Sequence, residues 1–403
     1  MKVLQLTHKP PVPSMDGGCL AMHQITSCLL DKGVEVKVVS IATPKHPVVF
    51  SEDFHNYKDK TQFESIFINT QVSVPKTIRS LLKRSPYQAD RFFSKKMIQK
   101  LETIFLQEKF DVVILESIFV GNYIETIRKH SQARILLRVH NIEYLVWERL
   151  FKQTKKPVKK AIYCYLAESL KCFELSLFNK IDGYIPITEV DHRFFKEKFP
   201  TLCSTVIPFA INLSTYSIQD HNIDENGMTF FHIGSMNWQP NIEGMTWFLE
   251  NVWKKIAEKR PNLMLVLAGK GNQAIFGNKN LKNVQIFDFV ENAQQFINEH
   301  DVMVVPLFSG SGMRIKIMES LALCKPIITT TIGAEGIEIT DKENIFIANT
   351  PEEMIQTIEF CADHVRKCEE IGKNARKLIE NSYAQEIIAK KLLVFLDTML
   401  RGI

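Results

Sequence analysis

Thr229-Phe230-Phe231-His232-Ile233-Gly234-Ser235 is a short apolar strand that runs straight into a glycine turn. The chain opens in the same way, because Met1-Lys2-Val3-Leu4-Gln5-Leu6 reads as a buried strand rather than a leader. Between these two starts lies a polar stretch, residues 213–222, closed by Asp224-Glu225-Asn226-Gly227. A strand that reopens after such a break marks a second domain of similar size. The boundaries are expected at 1–210 and 211–383, with a C-terminal helix at 384–403 packing back on the first domain.

Outward from that segment, β-branched runs alternate with helical patterns. Strands are expected at 2–6, 34–40, 65–68, 111–115, 134–139, 183–187 and 205–208 in the first half. In the second half they fall at 229–233, 264–268, 284–287, 302–306, 326–330 and 344–347. Helices are expected at 18–32, 90–107, 241–259 and 313–324. Alternation without hairpin turns points to parallel sheets covered on both faces. A closed eight-stranded barrel would use about 250 residues and leave a large remainder. The fold class is therefore α/β, with two doubly wound domains facing each other across a cleft, where the carboxyl ends of parallel strands bind ligands.

Composition agrees. Of 403 residues, 45% are hydrophobic and 24% charged, which excludes disorder and low-complexity polymers. No apolar run approaches the roughly 18 residues that span a bilayer, so a cytoplasmic protein is expected. The eight cysteines include no C-x-x-C pair, and each reads as a small core residue in a reducing compartment. The net charge of +5 divides unevenly: residues 1–210 hold 31 Lys and Arg against 21 Asp and Glu. Two stretches concentrate the excess, 76–100 and the run Lys152, Lys155, Lys156, Lys159 and Lys160. The first half thus faces something anionic. The segment 75–84 places Ile78, Leu81 and Leu82 on one helical face beside Arg79, Lys83 and Arg84. That pattern suits either an interfacial helix on an anionic membrane or an ordinary amphipathic helix packed on the domain. Aromatic-glycine interleaving is missing from the lysine stretches, which argues against nucleic acid as a partner.

Three places carry candidate chemistry. After the first strand, a proline-rich loop delivers Gly17 and Gly18 to a helix start, where free N–H groups can meet an anion, or where Asp16 simply caps the helix. Arg138-Val139-His140-Asn141-Ile142-Glu143 puts His140 at the carboxyl end of a strand, placed to donate a hydrogen bond to a sugar hydroxyl or move a proton, or simply to satisfy nearby backbone groups. The strongest signal is Pro306-Leu307-Phe308-Ser309-Gly310-Ser311-Gly312-Met313-Arg314-Ile315-Lys316-Ile317-Met318-Glu319-Ser320. A helix starting near Gly312 would carry Arg314 and Lys316 in its first turn, where the macrodipole disfavours cations unless an anion binds. Glu319 lies on the same side by the i, i+3 rule, suited to a ribose diol. The competing reading is a surface Lys316–Glu319 ion pair. Gly234 and Ser235 would let the second domain's first loop approach the same ligand, while Trp238 reads as a surface aromatic.

In order along the chain these motifs resemble the family 4 glycosyltransferases of the GT-B fold. The resemblance rests on 233–241, Leu267-Ala268-Gly269, Phe289-Val290, Asp301, 312–322, 324–328 and 333–336, together with Gly17-Gly18 and the His140 motif. It implies two Rossmann-like domains: an acceptor-binding first domain and a second that holds a nucleotide-diphosphate sugar. Catalytic roles fall on His140, Lys316 and Glu319. Donor contacts fall on Gly17, Gly18, Gly234, Ser235, Phe289, Val290, Ser311, Gly312, Arg314, Lys316 and Glu319. The chain departs from the family's usual glutamate pair, since Ser311 stands where the first glutamate would be and Glu319 where the second would be. The cations many members place in the first loop correspond to Ser235 and Pro240. Transfer to a saccharide or lipid-linked acceptor with retention is implied, with no metal or cofactor, in bacterial surface-polysaccharide assembly. A nucleotide-sugar 2-epimerase of the same fold and a non-catalytic sugar-nucleotide-binding protein are the alternatives.

Overall fold

The computed structural model describes residues 1–71, 86–154, 156–219, 227–310 and 312–402. The amphipathic segment 75–84, and Ser311, lie outside the described residues.

The chain forms two compact units, Met1–Phe209 together with the chain from Ile388 onward, and Ala210–Ile387. In the first, seven strands are β1 Lys2–Thr7, β2 Glu35–Ala42, β3 Glu64–Phe67, β4 Val112–Leu115, β5 Arg134–Val139, β6 Gly183–Pro186 and β7 Cys203–Ser204. Their order is β3-β2-β1-β4-β5-β6-β7, and every pairing is parallel. Val3 pairs with Val36 on one side and Val112 on the other, so the order reverses between β1 and β4. Leu4, Leu6, Val113, Leu115, Ile135 and Leu137 form the buried core. Continuous aliphatic runs are what a sheet buried on both faces requires.

The second unit repeats the plan with β8 Thr229–Ile233, β9 Met264–Ala268, β10 Val284–Phe287, β11 Val302–Val305, β12 Ile327–Thr329 and β13 Phe346–Ile347, ordered β10-β9-β8-β11-β12-β13. Here the order reverses between β8 and β11. Asp301 fixes that junction: its Oδ2 accepts from the Thr229 N–H at 2.6 Å and the Thr229 hydroxyl at 2.7 Å. At such a reversal the flanking loops diverge and leave a crevice at the carboxyl ends of the strands.

Some elements differ from the sequence reading. Residues 205–208 are not a regular strand. Pro186 ends β6 without an N–H to donate, and its carbonyl takes one bond from Ile207 at 3.0 Å. The helix expected at 90–107 is two, Tyr87–Asp90 and Lys95–Gln107, because Ser94 is extended and accepts from the Lys96 N–H as an N-cap. The helix near Gly312 begins later, at Ile315–Ala322, since Gly310 and Gly312 have φ of +108° and +81°. Those left-handed conformations cannot propagate a right-handed helix. Cys164 and Cys172 are exposed, not core, because they lie on the solvent face of the long Pro157–Leu177 helix.

Candidate functional site

In the second unit the groups at this reversal gather around Lys316, in the first turn of the Ile315–Ala322 helix. Its ammonium donates to Asn241 Oδ1 at 3.0 Å and approaches His232 Nε2 at 3.3 Å. Asn241, in the Gln239–Phe248 helix, is itself fixed by donating Nδ2–H to the Ser235 carbonyl at 2.9 Å. His232 donates Nδ1–H to the Val304 carbonyl at 2.8 Å, which leaves Nε2 as an acceptor facing the ammonium. Gly234 closes the arrangement. A Cβ there would lie 2.9 Å from Asn241 Nδ2 and His232 Nε2, and 3.1 Å from Lys316 Nζ. The Gln239–Phe248 helix is held close by Gly244, where a Cβ would sit 2.0 Å from the Pro306 carbonyl oxygen.

Burial, with help from Arg314, lowers the Lys316 pKa to about 7. Burial and the neighbouring Lys316 hold His232 well below the usual imidazole range. Among the described residues no carboxylate pairs with Lys316, so the competing reading, a Lys316–Glu319 ion pair, is not formed. Neutral acceptors orient this cation without neutralising it. Such a group is suited to an anion that brings its own charge.

Arg314 takes another place than the sequence suggests. It is the N-cap residue, outside the first turn, and its guanidinium lies 5.4 Å from the Trp238 ring centre. Trp238 is a surface aromatic, as expected, and also a cation–π partner of Arg314. One turn beyond Lys316, Glu319 Oε1 accepts a hydrogen bond from the Tyr216 hydroxyl at 3.0 Å. Burial raises the Glu319 pKa, and the Tyr216 bond opposes that rise. Ser235 caps its own turn, its Oγ accepting from the Asn237 N–H at 3.2 Å. Phe289 and Val290 follow β10, and Phe289 is exposed. Gly312 offers its carbonyl to Arg314.

In the first unit, Glu116, His140 and Arg138 meet at the ends of β4 and β5. Glu116 is fully buried. Its Oε1 accepts from Gln5 Nε2 at 2.7 Å, and its Oε2 lies 3.1 Å from His140 Nε2 and 3.4 Å from Arg138. Burial works to raise the Glu116 pKa, yet Arg138, His140 and Gln5 hold it below the ordinary value. Burial lowers the His140 pKa despite that bond. A neutral His140 facing an ionised carboxylate carries its proton on Nε2, so Nδ1 is an acceptor. His140 can therefore receive a hydrogen bond from a sugar hydroxyl through Nδ1, rather than donate one.

Glu143, three residues on, opens the Glu143–Gln153 helix, whose first N–H groups are capped by Glu174: its oxygens accept from Glu143 at 3.2 Å and Tyr144 at 3.1 Å. Burial pushes Glu143 up to about 7 and Glu174 to about 8. Gly17 and Gly18 open the Gly17–Leu30 helix, but Asp16 caps it, accepting from the Cys19 N–H at 2.9 Å. A Cβ on Gly18 would lie 2.8 Å from Lys9 Nζ, which pairs with Asp16 at 2.6 Å. Among the described residues, one trio with metal-ligating atoms is Asp16, Cys19 and His46, their atoms within 4.8 Å of one another. Lys9 already engages that carboxylate.

His232, Asn241, Tyr216, Glu116 and Glu174 carry this geometry and were not singled out from sequence. Glu116 obeys the rule that found His140, since both directly follow a parallel strand. Asn241 lies within the quoted stretch 233–241, while His232, Tyr216 and Glu174 make contacts to groups distant in sequence, without a local motif.

Residues 227–364 match the family model described as glycosyl transferases group 1. An uncharacterized 44.6 kDa protein in the cps region of Klebsiella pneumoniae is 22% identical over 394 residues, which cover 95% of this chain and 96% of that protein. Among solved structures, Anabaena Alr3699/HepE in complex with UDP matches with a TM-score of 0.68 and 14% identity, over 99% of this chain and 100% of that one. Sucrose-phosphate synthase from Thermosynechococcus elongatus matches with a TM-score of 0.72 and 13% identity, over 100% of both chains. The solved structures carry the fold: two parallel-sheet, Rossmann-like domains of the GT-B class. With the group 1 match across most of the second unit, the chain is a glycosyltransferase.

Proposed function

We propose that this glycosyltransferase takes its sugar from a nucleotide-diphosphate sugar and that Lys316 is the group that meets the diphosphate. The observation that carries the reading is the Lys316 ammonium, held by Asn241 and His232 beside the Gly234 turn at the reversal between β8 and β11. As the sugar departs, negative charge builds on the β-phosphate. A fixed cation in a partly buried site stabilises that charge without reorganising. A ribose diol would find its acceptor in Glu319, steadied by Tyr216. In the first unit, Nδ1 of His140 would accept from a sugar hydroxyl.

The HepE structures hold UDP and UDP-glucose, which supports a nucleotide-sugar donor here. The Klebsiella relative comes from a cps region, which supports a saccharide or lipid-linked saccharide acceptor in surface-polysaccharide synthesis. We further propose retention of the anomeric configuration, with the leaving phosphate assisting deprotonation of the acceptor, and no requirement for a divalent metal. A thermal-shift screen of nucleotide sugars, followed by mass spectrometry and proton NMR of the products, tests this reading. The expected result is a glycoside of unchanged anomeric configuration, formed equally well in EDTA. Epimerised donor in the absence of acceptor, or donor binding without turnover on any acceptor, would contradict it.

A further inference from the structure

The helices Glu143–Gln153 and Pro157–Leu177 pack against each other, with Trp147 and Tyr163 in ring contact at 5.9 Å. The longer helix changes character along its length. Ala167, Leu170, Glu174 and Leu177 are buried, whereas its first turns, from Pro157 to Ile162, are exposed. At this free end Val158 is 72% exposed, Ile162 49% and Leu150 37%. Val158 and Ile162 are one helical turn apart and share a face. Around them stand the exposed Lys152, Lys156, Lys159 and Lys160. Lys160 lies over the Phe151 ring at 5.3 Å from its centre, which ties the two helix ends together. Residues 149–162 contain six basic and no acidic side chains.

Scattered exposed aliphatics are ordinary. Here three of them are grouped at an exposed helix end among the exposed Lys152, Lys156, Lys159 and Lys160, and that combination selects the partner. Aliphatic side chains gain nothing from a phosphodiester backbone. A second copy of the same tip would meet its own charge. An anionic lipid surface satisfies both features: headgroups attract the lysines, and the acyl boundary accepts Val158, Ile162 and Leu150 while the lysine stems snorkel. We propose that the tip formed by residues 150–154 and 156–162 docks this glycosyltransferase on an anionic bilayer. The inference goes beyond the transfer reaction and stands or falls independently of the donor site.

Co-sedimentation with vesicles of phosphatidylglycerol and phosphatidylcholine, against phosphatidylcholine alone, tests it. The full chain should sediment with the anionic vesicles at about 0.1 M salt and be released as screening strengthens. Lys156→Glu, Lys159→Glu and Lys160→Glu combined should lower partitioning by about a hundredfold or more, while the corresponding triple Lys→Arg variant keeps it. Val158→Ser with Ile162→Ser should leave only a weaker, fully salt-reversible attachment. Unfolding midpoints equal to that of the original chain exclude misfolding as the cause. Retention in the supernatant at low salt overturns the proposal, as does binding indifferent to charge reversal. A dimer that light scattering shows to dissociate in the Val158→Ser, Ile162→Ser variant also overturns it, because the tip is then a self-interface.

Discussion

The Tyr216 hydroxyl donates a hydrogen bond to Glu319 Oε1 at 3.0 Å, joining residues 103 positions apart. The segment after the domain break is thereby tied to the helix that carries Lys316. The bond favours the ionised carboxylate that burial otherwise disfavours, and in that form both oxygens accept and neither donates, as a diol requires. Removing it by Tyr216→Phe should raise the Glu319 pKa further. Nucleoside diphosphate affinity in this variant should then fall on acidification at a higher pH than in the original chain. Calorimetric titration across pH 5 to 8 checks this; superimposable pH profiles would refute a role for Tyr216 in holding the charge.

Lys316 makes donor binding depend on pH in the opposite sense. With its pKa lowered to about 7, the free protein holds a largely neutral amine above that value. A diphosphate prefers the ammonium, so binding takes up a proton and affinity falls as pH rises above about 7, until the pKa of the complex is reached. Titrations near pH 8 in buffers of different ionisation enthalpy should reveal the uptake. In Lys316→Gln the proton uptake and the alkaline fall should both vanish.

For His140, the tautomer is the issue. Glu116→Gln can present its amide N–H to His140 and push the imidazole proton to Nδ1, reversing the role of the free nitrogen. Turnover should then drop while nucleoside diphosphate affinity stays the same, and His140→Ala combined with Glu116→Gln should be no slower than His140→Ala alone. Because Glu116 also faces the buried Arg138, a loss of about 1–3 kcal/mol in stability is expected. Additive losses in turnover would assign Glu116 a separate task.

Much of this arrangement was legible before any coordinates. Residues 229–233 and 264–268 read as strands because a sheet covered on both faces needs short, largely apolar runs, and both form as expected. The loop before Lys316 was also legible, as glycines beside cations. Where its helix starts was not, because that depends on the positive φ adopted by Gly310 and Gly312. His232 reads as one more strand residue until the fold brings Lys316, 84 positions later, beside it. Tyr216 lies in a polar stretch that resembles a plain linker. Its role follows only from where the Ile315–Ala322 helix ends up.

The proposed donor site depends on Lys316 meeting the diphosphate. Calorimetry of a nucleoside diphosphate and the matching monophosphate, on the original chain and on Lys316→Gln at neutral pH, tests it most directly. Lys316→Gln should bind the diphosphate about tenfold to a hundredfold more weakly, leave monophosphate affinity nearly unchanged, and keep the original unfolding midpoint or exceed it. Equal losses for both ligands, or no loss for either, would contradict it.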